Sequence, residues 1–400
     1  METIKKRDRN LVLFLTANAL MGVLAAVENT SFSSKLYDLG FDILKRSIVE
    51  VPRELPGLFT VLLIALFFRM DSRKIAAISC MAAGVGIILF GFVPSDILLV
   101  IVTIIFFSTG QHLYIPVMGT LSMSFAEGNK IGRRLGQVQG LNTLVLIISC
   151  VLFYGLYNFF HVPYYVVFTI GGLAAITAGI LFLRMKSGQT ILQKTRFVFK
   201  KQYSLYYLLA IVNGARRQLT FTFVPWVILN VFDKNVVTVT LLFMSVSTIN
   251  VFFRPFMGRL VDRMGERFVL TVEAMTLFLV CVTLAGVKAV FATEVAFYIA
   301  CGCYIIDQLL ATANIARTTL AYRLVEDKSE VAGTLAMGTS MDHIMAVLMP
   351  VIAGYVWYIN GATGYIYVFI GGAVISLINL IIATRIKVRV VHEPEMNPVL

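Results

Sequence analysis

Charged residues are scarce in this 400-residue sequence, at 14% against roughly 25% in soluble domains. Hydrophobic residues make up 58%, above the roughly 45–50% that soluble proteins contain. A soluble fold of this length could not bury so much apolar surface. The composition therefore predicts a protein whose outer surface faces lipid.

Several sequence patterns that would indicate chemistry are missing. The five cysteines are odd in number and lie inside apolar runs, and none forms a C-x-x-C pair: Cys80, Cys150, Cys281, Cys301 and Cys303. They are best interpreted as small buried hydrophobes, so we expect no disulfide framework, no metal site and no cofactor. The phosphate-binding pattern G-x-x-x-x-G-K-[ST] is absent, so direct ATP drive would need a separate subunit.

Acidic residues are few, at 22 against 34 basic ones, which gives a net charge of +12. Such an excess can indicate nucleic-acid binding. Here the basic residues form short clusters between apolar runs, and there is neither zinc-finger spacing nor a basic helix. The pattern is instead typical of membrane topology, and it excludes nucleic acid as a partner.

Twelve apolar runs are long enough to cross a bilayer as helices. The first run extends from Leu11 to about Ala26, longer than the core of a typical signal peptide, so we interpret it as an uncleaved span. The sequence predicts an all-α polytopic membrane protein with helices at 10–30, 47–68, 75–93, 97–124, 135–157, 163–183, 204–228, 236–257, 268–287, 292–318, 331–357 and 363–384.

Basic residues are distributed unequally between the two sides of these spans. One side carries only five, which are Lys35, Lys45, Arg46, Lys234 and Lys288, and five more lie inside spans, which are Arg53, Arg216, Arg217, Arg254 and Arg317. The remaining Lys and Arg residues lie on the side of the two termini. The positive-inside rule then predicts cytoplasmic termini, in the plasma membrane of a bacterial cell.

The two halves of the chain resemble each other at an offset near 200 residues. Span 6 contains Phe168-Thr-Ile-Gly-Gly-Leu, and span 12 contains Val368-Phe-Ile-Gly-Gly-Ala. We therefore predict two pseudo-symmetric six-helix bundles, 1–184 and 204–400, joined by a cytoplasmic linker at 185–203. Parallel repeats around a central cavity are a recurring transporter plan, and we expect a monomer.

The loop between spans 8 and 9 carries the sharpest motif, with Gly258, Asp262, Arg263, Gly265 and Arg267 at their characteristic spacing. With the span count and the repeat, it resembles the major facilitator superfamily over nearly the whole chain. The resemblance implies a secondary transporter that works by alternating access. It also implies that Asp262 lies at the N-terminus of span 5 and latches the halves in one state.

The sequence departs from the superfamily pattern at two places. The loop between spans 2 and 3, from Phe68 to Lys74, lacks the motif glycines, so a latch there is expected to be degraded. Span 4 carries Gln111 and His112, whereas proton-coupled members often have an arginine on this span. Proton coupling by that route is therefore in doubt.

Ionisable groups are costly in lipid, so those inside spans should face a cavity or a partner. Spans 3, 6 and 12 contain none, and the polar residues concentrate near mid-depth on spans that line the cavity in the superfamily. The candidate substrate-cavity residues are Arg216, Arg217, Asp307, Gln111, His112, Asn18, Asn213, Asp342 and His343.

Arg216 and Arg217 are about 100° apart on a helix, so we expect one to face the cavity and the other to pack against a neighbour. Two interpretations of the cavity arginine stay open. It could neutralise Asp307, or it could grip an anionic group of the substrate bidentately. The candidates for proton coupling are Asp307, Asp342 and Glu54.

Span 2 opens with Glu50, Arg53 and Glu54 on one helix face, beside Pro52 and Pro56. This acid–base–acid ladder predicts an external gate. The region resembles a feature of certain bacterial members of the superfamily whose substrates are not established, so it implies no substrate.

The sequence favours a secondary active transporter of a small organic solute, with that small molecule and the lipid bilayer as its partners. An anionic solute and coupling to protons or another ion are open possibilities, as is the choice between symport and antiport. The alternatives are a multidrug or lipid exporter on the same fold, and a membrane sensor or binding protein without transport. We expect no enzyme, because Asp342 and His343 lack a catalytic constellation.

Overall fold

A computed structural model describes residues 2–40, 43–67, 69–186, 198–234 and 236–387, and these residues are almost entirely helical, with no β-sheet. Most of the predicted linker and the final 13 residues lie outside the described residues, as does the side chain of Glu50. The α-helices are α1 Glu2–Asp38, α2 Ile43–Leu58, α3 Thr60–Leu66, α4 Ser72–Phe92, α5 Ile97–Ser124, α6 Ile131–Phe160, α7 Tyr164–Arg184, α8 Ser204–Asn230, α9 Val236–Val290, α10 Thr293–Leu310, α11 Asn314–Leu324, α12 Val331–Asn360 and α13 Gly364–Thr384.

Four of the predicted spans do not correspond to single separate helices. Helices α2 and α3 together form span 2, where Pro52 and Pro56 interrupt the regular hydrogen bonding. Helices α10 and α11 form span 10, joined by a 3₁₀ turn at Ala311–Ala313. Helix α9 contains spans 8 and 9, divided at Gly265, whose φ of 82° suits a residue without a Cβ. Grouped in this way, the described helices are consistent with twelve spans.

Length and hydropathy alone identify eight helical stretches able to cross a membrane, two of which contain two spans each. Spans 2 and 7 are not among them. Span 2 carries Arg53 and Glu54, and span 7 carries Arg216 and Arg217. Both of these spans place charge inside the protein, as a cavity requires, and span 2 is also divided into helices of 16 and 7 residues. The chain is a multi-pass membrane protein.

Each half of the chain has its own apolar core. In the N-terminal half the core includes stacked rings of Phe14 and Phe125, 5.1 Å apart, and of Phe32 and Phe90, 4.7 Å apart. The outward faces are also apolar, and large side chains such as Phe252, which is 76% exposed, point away from the protein. Such outward apolar surface fits lipid as the surrounding solvent.

The described ends of the predicted linker pack against different halves. At one end, the backbone N–H of Lys186 donates to Asn10 Oδ1 at 3.0 Å, on α1. At the other, Tyr203 Oη donates to Glu330 Oε2 at 2.7 Å, beside the start of α12, and Lys200 pairs with the same carboxylate. The hydrogen bond to Glu330 raises the pKa of Lys200. Residues up to 186 thus lie with the N-terminal half, and residues from 198 lie with the C-terminal half.

The two halves meet most closely on the side where the chain termini lie, here called the termini side. Helix α6 presents Gly132, Gly136 and Gly140 to α9, and a Cβ at Gly136 would lie 2.5 Å from the backbone oxygen of Arg254. Elsewhere on this side the N–H of Val61 donates to Ser340 Oγ at 3.0 Å. Apolar residues of α6 and α8 share one core here. These contacts hold the two halves together on the termini side.

Candidate functional site

A cavity of about 650 Å³ lies between the two halves. Seven of the nine predicted cavity residues line it, namely Asn18, Gln111, His112, Asn213, Arg217, Asp342 and His343. Arg216 and Asp307 are not among the lining residues. Both halves contribute to the wall, so the site depends on how the halves are placed relative to each other.

Arg216 and Asp307 form a buried ion pair away from the cavity. Arg216 is 1% exposed and Asp307 is 3% exposed, and Arg216 Nη1 donates to Asp307 Oδ1. Arg216 Nη1 also reaches Thr220 Oγ1 at 3.4 Å. The interpretation in which an arginine neutralises Asp307 therefore describes Arg216. Neighbouring side chains leave a helix about 100° apart. Arg216 therefore points to α10 and away from the cavity, whereas Arg217 points to α12.

Arg217 is the member of the arginine pair that lines the cavity. Its Nη2 donates to Asp342 Oδ2 on α12 at 2.6 Å, and Asn213 Nδ2 donates to Asp342 Oδ1 at 3.1 Å. Asn213 lies one turn before Arg217, so both reach the same carboxylate from one face of α8. The Arg217 side chain keeps 36% of its surface exposed, so its ion pair is accessible to a solute in the cavity.

Two of the predicted gate residues, Arg53 and Glu54, make polar contacts with neighbouring helices. Arg53 Nη1 donates to Glu28 Oε1 on α1 at 2.9 Å, and Gln111 Nε2 donates to Glu28 Oε2 at 2.7 Å. Arg53 also lies 3.2 Å from Glu54. Arg53 and Glu54 line the cavity, and their role as an external gate stays a prediction. Glu28, which the sequence did not single out as a site residue, joins α1, α2 and α5.

Glu54, His112 and His343 form a cluster at the contact between α2, α5 and α12. The rings of His112 and His343 lie 4.8 Å apart at their centroids, at an interplanar angle of 76°. His343 Nδ1 is 3.2 Å from Glu54 Oε2. The cluster joins Glu54 and His112 of the N-terminal half to His343 of the C-terminal half.

Asn18 lines the cavity and is held by its neighbours. Tyr114 Oη donates to Asn18 Oδ1 at 2.6 Å, and Asn18 Nδ2 donates to the backbone oxygen of Phe14. Both polar ends of the Asn18 amide are therefore engaged within the protein. These hydrogen bonds connect Asn18 to Tyr114, which also lines the cavity.

Arg254 on α9 is a cavity residue that sequence reasoning did not assign. It lines the cavity, donates from Nη1 to the backbone oxygen of Gln139 at 3.3 Å, and has a buried Nε without a hydrogen-bond partner. Among the described residues it pairs with no carboxylate, whereas the lining residues Arg53, Arg217 and Arg317 each do. Its sequence signal is a single arginine in an apolar run that contains no acidic residue.

Carboxamide and hydroxyl groups surround the part of the cavity near Arg254. Asn250 lies one turn before it on α9 and accepts from Thr312 Oγ1 at 3.1 Å. Gln139, Asn142, Gln308 and Asn314 also line the cavity. Uncharged amides can bind the polar groups of a solute without adding a competing charge.

Two further ion pairs of the C-terminal half lie inside the protein. Glu273 on α9 is 1% exposed and accepts from Arg317 Nη2 at 2.6 Å. Glu266 accepts from Arg323 at 3.2 Å. Span 9 is thus not carrying a carboxylate into lipid, because Glu273 turns towards α11.

The loop motif joins the halves at the termini side. The backbone N–H groups of Gly132 and Arg133 donate to the two oxygens of Asp262 at 2.7 and 2.6 Å, at the N-terminus of α6. A Cβ at Gly258 would lie 2.2 Å from Gly132 O, so glycine permits the approach. Burial raises the pKa of Asp262, and the two N–H donors partly oppose that rise. Arg263 and Arg267 are exposed.

The corresponding loop before α4 makes polar contacts within the N-terminal half. Asp71 caps α4 by accepting from the N–H of Arg73 at 2.9 Å, and Arg73 Nη1 donates to the backbone oxygen of Met185. Both partners belong to the N-terminal half. This agrees with the missing glycines, since the backbone cannot approach a second helix so closely.

The sequence profile described as "Major Facilitator Superfamily" matches residues 55–340 and 206–398. The chain belongs to the Major Facilitator Superfamily. No curated protein matches it in sequence. The superfamily members with similar solved structures include a bacterial homologue of the iron transporter ferroportin in its outward-facing state, with a TM-score of 0.75, 10% identity, and coverage of 93% of this chain and 98% of that one.

A second similar structure is the human organic anion transporter MFSD10 (TETRAN). Its TM-score is 0.66 at 10% identity, and the match covers 94% of this chain and 99% of that one. Similarity at this level of identity establishes the shared fold of the superfamily. The substrate has to be inferred from the residues that line the cavity.

Proposed function

We propose that this superfamily member is a secondary active transporter that moves a small anionic organic solute by alternating access. The observation that carries the proposal is the cavity between the halves, in which Arg254 faces the lumen without a carboxylate partner among the described residues. A cation held in a site of low dielectric attracts an opposite charge strongly. A carboxylate or phosphate on the solute would supply that charge.

The Arg217–Asp342 pair provides a second contact for the same solute. A solute anion that binds Arg217 would compete with Asp342, which then becomes free to take up a proton. Asp342 replaces Asp307 as our first candidate for proton coupling, because Asp307 lies outside the lining and is paired with the buried Arg216. Glu54 remains a second candidate.

The conformation fits one of the two access states of an alternating-access cycle. If the termini are cytoplasmic, as the distribution of Lys and Arg favours, the termini side, where the halves meet most closely, faces the cytoplasm. The described state would then be outward-facing. We propose this orientation in the plasma membrane of a bacterial cell. The monomer is sufficient, because one chain supplies both walls of the cavity.

The character of the cavity argues against the alternatives. An exporter of lipids or hydrophobic drugs would suit a more apolar cavity, whereas Glu28, Arg53, Arg217, Arg254 and Asp342 all line this one. A sensor without transport would bind its ligand without moving it. Flux into sealed vesicles separates that possibility from ours.

The direct test is counterflow in proteoliposomes with a panel of radiolabelled anionic, neutral and cationic metabolites of similar size. We expect exchange of one or more anions and none of the cations. Empty liposomes and liposomes with denatured protein provide the background. Exchange restricted to cationic or strongly hydrophobic compounds would contradict the proposal.

Asp262 is proposed to act as a latch on the termini side, and replacing it tests that role. Asp262→Asn removes the charge from two hydrogen bonds, each worth about 1.5–3 kcal/mol with a charged partner. We expect the contact between α6 and α9 on the termini side, here called the seam, to open more often. A cysteine introduced at Leu135, which is buried there, should react several-fold faster with a membrane-impermeant maleimide applied from the termini side.

Arg263→Gln is the matched control for this measurement, because Arg263 is exposed in the same loop. It should leave the labelling rate of the Leu135 cysteine unchanged. If the Leu135 cysteine were labelled at the same rate with and without Asp262→Asn, the contact of Asp262 with α6 would not hold the seam closed.

A further inference from the structure

The cluster of Glu54, His112 and His343 has the composition of a metal site. Each residue offers one ligand atom, and the three atoms lie within 4.8 Å of one another. Two imidazoles and one carboxylate are a donor set that suits zinc and similar transition-metal ions, and it does not suit magnesium or calcium, which prefer oxygen ligands.

The hydrogen bonds of His112 leave its outer nitrogen available as a ligand. Ser108 Oγ donates its proton to the backbone oxygen of Arg53, so it can only accept from His112 Nδ1, 2.9 Å away. The backbone oxygen of Ser108 lies 3.0 Å from the same nitrogen. Nδ1 therefore carries the proton and Nε2 carries the lone pair. This is the supporting arrangement usual for a histidine bound to metal.

His343 Nδ1 and Glu54 Oε2 are also available to bind a metal ion. His343 is 9% exposed, and its Nδ1 makes no hydrogen bond of acceptable geometry although Glu54 Oε2 is 3.2 Å away. The other oxygen of Glu54 lies 3.2 Å from Arg53, which leaves Oε2 directed at the histidines. A buried polar nitrogen without a partner is rare in proteins and calls for a ligand.

Gly57 makes the close approach of the two imidazoles possible. A Cβ at this position would lie 2.8 Å from His112 Nε2 and 2.8 Å from His343 Cγ. Gly57 is one turn after Glu54 on α2, so the same helix face supplies the carboxylate and the space for both rings. Any larger residue would push the histidines apart.

We propose that Glu54, His112 and His343 form a binding site for a divalent transition-metal cation of the zinc class, with an open coordination position towards the cavity. In a tetrahedral zinc site neighbouring ligand atoms are about 3.3 Å apart. Side-chain rotation would draw the present atoms together. Because His343 belongs to the C-terminal half, the bound metal joins the two halves at mid-depth.

The test is zinc binding to the purified, chelator-stripped full-length protein in detergent, measured by calorimetry with ZnCl2. We expect one Zn²⁺ for each chain, and no binding of Mg²⁺ at the same concentration. His112→Gln, His343→Gln and Glu54→Gln should each weaken zinc binding by at least ten- to a hundredfold. His161→Asn is the matched control, because His161 is exposed at the end of α6, and should bind zinc normally.

X-ray absorption at the zinc edge tests the unaltered protein, so the result does not depend on a variant that folds. It should show two imidazole nitrogens at about 2.0–2.1 Å. Absence of stoichiometric zinc binding, or binding that all three substitutions leave unchanged, would overturn the site. The inference stands apart from the proposed transport. Zinc binding without anion flux would leave the metal site intact, and flux without zinc binding would leave the transporter intact.

Discussion

Replacing Arg216 by alanine is expected to destabilise the folded protein, in addition to any effect on transport. The substitution leaves Asp307, which is 3% exposed, as a buried carboxylate without its cation. Removing one partner of a buried ion pair typically costs about 3–5 kcal/mol. We expect a fall in thermal midpoint on the order of 10 °C, measured by fluorescence-detected size exclusion in detergent, with less folded protein in the membrane.

A double variant separates loss of the pair from loss of a charge needed for transport. Arg216→Met with Asp307→Leu replaces both partners by apolar side chains of similar volume, which is often neutral for a buried pair. Its thermal midpoint should return close to that of the original protein. If Arg216→Ala kept its thermal midpoint but lost uptake, Arg216 would act on the substrate in another conformation, and our interpretation of the pair would be wrong.

Replacing Arg254 by glutamine is expected to have the opposite profile, with lost transport and retained stability. Glutamine removes the charge that we propose to bind the solute anion. Two charge-assisted hydrogen bonds contribute about 1.5–3 kcal/mol each, so kcat/KM for uptake should fall about a hundredfold or more. The thermal midpoint should change little, since no ion pair of Arg254 is broken among the described residues.

Arg254→Lys and Arg259→Gln complete the experiment. Lysine keeps the charge but loses the planar fork that binds a carboxylate in two places, so uptake should be intermediate. Arg259 is exposed on the same helix, and its replacement controls for the loss of one positive charge and should leave uptake unchanged. Normal uptake by the Arg254→Gln protein would exclude Arg254 as the anion contact.

The spans were predictable because lipid imposes a strong and local requirement. A run of about 20 apolar residues must be helical to satisfy its backbone, and the observed helices α4, α5 and α7 lie within a few residues of the predicted limits. Gly265 was recognisable in the motif, although its role in dividing one long helix was not. The twelve-helix family fold could thus be predicted from the sequence.

The residues of the cavity were predictable only as a set. Costly charges must be sheltered from lipid, and Arg217, Asp342 and His112 line the cavity. Arg216 and Arg217 differ by a rotation of about 100°, and the choice between them depends on where α10 and α12 pack. Arg254 was visible as a charge in an apolar run. That it lacks a carboxylate partner depends on which helices surround it.

The sequence by itself determined that this chain spans a membrane many times and that it belongs to a transporter family, and it predicted that its polar groups gather near mid-depth. Those properties follow from composition and spacing along one helix at a time. Only the tertiary structure decided which charges neutralise each other and which face the cavity. It also brought Glu54, His112 and His343 together from three helices, because contacts between distant segments depend on packing that no local pattern encodes.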